Sequence, residues 1–92
     1  MRLVDFSFAT ADYDLNRPLF IYDGTNPQPV TGIEIDSATH RLQLRVGTNY
    51  PITLDQFNTR TKRIPGHWRI VMLPTNRELF GYRLIGEKLV FM

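Results

Sequence analysis

The sequence predicts a mainly β domain: an antiparallel small barrel or half-open two-layer sheet of six to seven strands, with one short helix near residues 53–61. Three observations predict it. Apolar and polar residues alternate through much of the chain, turn-forming residues recur every eight to twelve positions, and one segment carries clear helix-start chemistry. A length of 92 residues fits a single domain over 1–92 and leaves no room for two. Six Phe, four Tyr and Trp68 supply much of the core volume.

Leu3 to Phe8 reads as a first strand, with Val4, Phe6 and Phe8 on one face. Leu19-Phe20-Ile21-Tyr22 is a short continuous apolar run, which fits a strand covered on both faces. Asp23-Gly24 ends it, and Thr25-Asn26-Pro27-Gln28-Pro29 reads as an extended loop, because each proline keeps its predecessor out of the helical region. Ile33 and Ile35 then alternate with Glu34 and Asp36, and Leu42, Leu44 and Val46 alternate with Arg41, Gln43 and Arg45. With the turn-forming stretch Asp36 to His40 between them, these runs predict a hairpin with one apolar and one charged face. Cross-strand pairing of Glu34 and Asp36 with Arg41, Gln43 or Arg45 helps set its register.

Thr53-Leu54-Asp55-Gln56 has the form of a capping box, with Ile52 and Phe57 placed as a hydrophobic staple. Thr59, Thr61 and the Pro65-Gly66 pair keep that helix short. The last third predicts a three-strand meander: Trp68 to Leu73, Glu78 to Ile85, and Lys88 to Met92. Gly86-Glu87 is a two-residue turn with glycine first, and the apolar end predicts a C-terminus paired into the sheet.

With no cysteine, disulfides, thiolate catalysis and Cys-based zinc sites are excluded. The acidic, broken N-terminal stretch argues against a targeting peptide, and no apolar run approaches the 18 residues of a membrane helix. The expectation is a soluble cytoplasmic protein without a membrane partner or cofactor. Net charge is only +2, but unevenly spread. Residues 1–46 hold six acids and four bases, whereas residues 47–92 hold three acids and seven bases.

The most chemistry-bearing segment is Arg60-Thr61-Lys62-Arg63-Ile64-Pro65-Gly66-His67-Trp68-Arg69. Arg60, Lys62, Arg63, His67, Trp68 and Arg69 combine cations with the one tryptophan, a pattern that suits phosphate contact and base stacking. The same residues also read as a solvated helix end followed by an inward-packing Trp68. His40 and His67 lack a third metal ligand in the sequence, and His40 reads as a solvated loop residue. Asp12, Asp14 and Asp23 read as loop acids, with no EF-hand glycine or glutamate to make a calcium loop. Ser7 and Ser37 lie outside any nucleophile elbow, and no phosphate-binding glycine pattern occurs.

The reading is therefore a non-enzymatic interaction module that binds another protein, in the manner of small accessory, inhibitor or assembly proteins, including those of phages. An open sheet edge would serve strand addition or self-association. The alternative is a nucleic-acid-binding β domain using the 60–69 segment, with a small hydrolase more remote.

Overall fold

The computed structural model describes residues 1–92. Seven strands, β1 (Leu19–Tyr22), β2 (Pro27–Asp36), β3 (Arg41–Val46), β4 (Arg69–Met72), β5 (Arg77–Glu78), β6 (Tyr82–Ile85) and β7 (Lys88–Phe91), join two helices, α1 (Leu3–Ala9) and α2 (Leu54–Thr61). The strands form one mixed sheet in the order β5-β4-β3-β2-β1-β7-β6, curled into a half-barrel. No helix is long and apolar enough to cross a membrane.

The central hairpin follows the alternation. Ile33 faces Leu44, Ile35 faces Leu42 and Asp36 faces Arg41, while Arg45 reaches Glu34 as an ion pair on the charged face. A bulge between Val30 and Gly32 shifts the phase, so Val30 and Ile33, three positions apart, point to the same side. Helix α2 begins with the expected box: Gln56 N–H donates to the Thr53 hydroxyl at 3.2 Å, and Thr53 N–H donates to the Gln56 side-chain oxygen at 2.9 Å. Ile52 and Phe57 both sit in the core. At the C-terminal hairpin Gly86 has φ 59°, whereas Glu87 keeps a negative φ, so the turn is the type with glycine first. Strand β7 lies between β1 and β6, as the apolar C-terminus predicts.

Four expectations are corrected. First, Leu3 to Phe8 is helical, so the protein has two helices rather than one. The first turn of α1 has no side-chain cap. Its N–H groups are taken instead by a distant segment: Leu3 donates to the Trp68 carbonyl and Val4 to the Gly66 carbonyl, both at 2.9 Å. In this form Phe6 is buried and Phe8 is 83% exposed, whereas a strand would have placed them on one face. Second, Pro27 to Pro29 begin β2 rather than forming a loop. The Pro29 carbonyl accepts from Gly47 beyond the end of β3, so the main chain of Pro29 faces away from β1 and its missing N–H takes nothing from that ladder.

Third, the last third is not a meander. The expected strand from Glu78 to Ile85 is broken at Leu79 to Gly81. Its first part pairs with β4 at one end of the sheet, and its second pairs with β7 at the other. Leu79 N–H still donates to Ile70, but Phe80 N–H donates to Met92 and Met92 N–H to Gly81. Three residues span roughly 10 Å, so this crossing holds the two ends of the sheet close and enforces the curl. Fourth, the sheet is not wholly antiparallel. β3 with β4 and β1 with β7 are parallel pairs, the first joined by the long connection that carries α2.

The inner face presents Leu19, Ile21, Val30, Leu42, Leu44, Ile70, Leu89 and Phe91 to the helices, which contribute Leu3, Phe6, Leu54 and Phe57. Phe6 is the aromatic centre, with ring centroids 5.2 Å from Phe57, 5.0 Å from Phe91 and 5.5 Å from Tyr82. Thr10 and Thr61, both buried near the helix ends, donate their hydroxyls to the carbonyls four residues back at 2.8 Å.

Candidate functional site

Two surfaces carry the candidate chemistry, the 60–69 segment and the free edge of the sheet. In the first, Arg60, Lys62 and Arg63 are exposed at the end of α2 and form no ion pair. Lys62 lines a groove of about 300 Å³ between α1 and α2, together with Ser7 and Asn58. Arg69, at the start of β4, meets Glu78 at 3.3 Å. Trp68 packs inward at 7% exposure, just before β4 rather than within it. The segment is thus split, with its cations outward and its tryptophan covered.

The exposed side of Trp68 is covered by a histidine. His40 lies in the left-handed region at φ 55° and stacks on Trp68, with ring centroids 5.3 Å apart and planes 18° apart. His67 meets His40 edge-on at 5.3 Å. His40 is exposed, as a solvated loop residue would be, yet it is also held by this stack. The parallel pairing of β3 with β4 brings these residues together, a long-range contact with no local signal in the sequence. No third His, Cys or carboxylate joins them as a metal-holding group.

Two of the three loop acids, Asp14 and Asp23, hold their own turns. Asp14 accepts the Asn16 N–H at 2.9 Å. Asp23 accepts the Thr25 and Asn26 N–H groups, each at 2.8 Å. Those of Asn26 and then Thr25 keep its carboxyl below the ordinary value of 3.8.

The second surface is β6. It pairs with β7 alone, which makes it the longer of the two sheet edges, since β5 has two residues and β6 four. In a two-residue hairpin the closing pair, here Ile85 with Lys88, is hydrogen-bonded. By alternation Arg83 also faces β7, and the N–H and C=O of Tyr82 and Leu84 point away from the sheet. No turn or loop main-chain group bonds to either residue.

Side chains flank this free edge with apolar area. Leu84 is 40% and Ile85 46% exposed. On the outer face the rows Arg83–Val90–Phe20–Pro29 and Ile85–Lys88 lie side by side. A shallow groove of about 260 Å³ runs between Tyr22, Arg83, Ile85 and Met92. The Lys88 ammonium sits 4.8 Å over the Phe20 ring, while Arg83 has no ionic partner.

The inner side of the same strand is anchored. The Tyr82 hydroxyl lies 3.3 Å from that of Tyr13, and the rings meet edge-on at 6.1 Å. Burial, then the Tyr13 contact, pushes the Tyr82 phenol up to about 12. The tyrosines therefore form no single exposed patch: Tyr13 and Tyr82 pair inward, Tyr22 lines the outer groove, and Tyr50 stands alone at 95% exposure.

No protein-family model, curated protein or solved structure matches this chain.

Proposed function

We propose that this protein is a non-enzymatic interaction module that binds another protein by adding one of that protein's strands to β6. The observation that carries this reading is a four-residue edge strand whose outward N–H and C=O groups, on Tyr82 and Leu84, are free and bordered by exposed apolar side chains. Main-chain hydrogen bonds supply affinity in such an arrangement, and the alternating side chains supply selectivity. Anchoring through the Tyr82–Tyr13 contact and pairing with β7, which β1 backs on its other side, keeps the edge rigid, so little ordering entropy is lost on docking. A cytoplasmic setting suits a cysteine-free chain of this kind.

The test is affinity capture from the source cells with the wild-type protein beside Leu84→Pro. The Leu84 N–H points outward, so proline there costs no ladder bond within the sheet but removes a donor the incoming strand needs. Specific partners retained by wild type and lost by a folded Leu84→Pro support the reading, and partners retained equally by both overturn it. Retention of nucleic acid by both proteins, weakening steeply with salt and on Arg63→Ala, would move the binding surface to the 60–69 segment.

A further inference from the structure

The edge also carries information about what it accepts. A second copy of this chain is the simplest candidate, and the register argues against it. The alignment that uses all four outward groups sets Tyr82 against Leu84 of the other copy. That alignment places the two Arg83 side chains directly opposite each other in a non-hydrogen-bonded pair, where the strands approach most closely, with Cα atoms about 4.5 Å apart. Like charges so placed repel. Moving the centre to Leu84 removes that repulsion but puts the Gly86 turn into the ladder, where the Gly86 carbonyl already accepts from Arg17 at 3.1 Å. Arg83 therefore guards the edge against self-pairing, and it has no carboxylate of its own chain to neutralise it.

We propose that the strand received by β6 belongs to a different chain and carries an acidic side chain opposite Arg83, an apolar side chain opposite Ile85 on the same face, and a second apolar side chain between them opposite Leu84. This rests on the reading of β6 as the docking edge. The acid pairs with the one unpartnered cation of the edge strand. The two apolar positions cover Ile85 and Leu84, each more than a third exposed, from the outer and inner sides of the sheet.

The probes are two blocked peptides, acetyl-Thr-Thr-Val-Val-Glu-Thr-Thr-amide and the same peptide with lysine in place of glutamate. Each is titrated into the isotope-labelled protein while the backbone amides are followed by NMR. The glutamate peptide is expected to shift the Tyr82 and Leu84 amides and to bind about tenfold more tightly than the lysine peptide at low salt. Arg83→Glu is expected to reverse that order. Equal binding of the two peptides, no response of the β6 amides, or a concentration-dependent dimer in sedimentation that buries those amides each overturns the proposal. If capture is lost in Leu84→Pro while the two peptides bind alike, the docking edge stands and the charge rule falls. If capture survives Leu84→Pro, the edge itself is wrong.

Discussion

Replacing Phe6 and, separately, Phe8 by alanine distinguishes a helical N-terminal segment from an extended one. In α1 Phe6 is fully buried, with three aromatic rings at 5.0 to 5.5 Å, whereas Phe8 is 83% exposed. Truncating a buried phenylalanine costs about 3–5 kcal/mol. The loss of edge-on contacts to Phe57 and Tyr82 places Phe6→Ala in the upper half of that range. An exposed phenylalanine truncated in the same way changes stability by about 0.5 kcal/mol or less. At roughly 0.05–0.15 kcal/mol per residue, a chain of this length has about 5–14 kcal/mol in all, so Phe6→Ala removes a large share and Phe8→Ala almost none. Urea unfolding followed by Trp68 fluorescence and far-ultraviolet circular dichroism measures both, with Phe6→Leu as the milder variant if Phe6→Ala does not fold. Equal costs, or a larger cost at Phe8, would refute the helical placement of this segment.

Thr53→Ala is expected to cost about 1 kcal/mol in the same assay by removing the hydroxyl that caps α2, with Thr53→Ser retaining most of it. Gly66→Ala would set a new methyl carbon 2.8 Å from the Val4 Cβ, and the helix must shift to admit it; a loss of about 1–3 kcal/mol is expected from urea midpoints. The Tyr82 phenol, raised to about 12 in the folded chain, stabilises the fold fully below its unfolded value near 10. That stabilisation is lost as pH rises from 10 towards 12, and Tyr82→Phe should flatten the stability profile in this window. The carboxyls of Asp23 and Asp36 are held below 3.8, the first by the N–H groups of Asn26 and Thr25, the second chiefly by the Thr39 hydroxyl. Their contribution is present above the unfolded value and falls away as pH drops through the lower folded values, which an NMR titration of the two side chains would register.

The elements legible in the sequence are those whose partners are near in the chain. The hairpin of β2 and β3 needs only period-two alternation and an Asp36-led turn, and Asp36 does accept the N–H groups of Ala38 and Thr39. The start of α2 needs only four consecutive residues, and the Gly86 turn only two. The sequence leaves a self-covering barrel and a half-open sheet with a free edge as alternatives. It does not choose between them or name the edge strand, because no local pattern says that β6 ends a sheet.

Alternation, capping and turn preferences act over a few residues, which is enough to specify a small β-rich domain, its hairpins and its capped helix, and composition alone removes cysteine chemistry. The remaining features are set by packing between segments distant in the chain. Leu3 to Phe8, apolar enough for strand or helix, becomes a helix because carbonyls more than sixty positions away take its first N–H groups. Glu78 to Ile85 is divided because closing the sheet requires three residues to cross between its two ends. The parallel pairs, the His40 stack on Trp68 and the position of β6 at the edge likewise depend on contacts between segments far apart in the chain, a cooperative burial of apolar surface that no short stretch encodes.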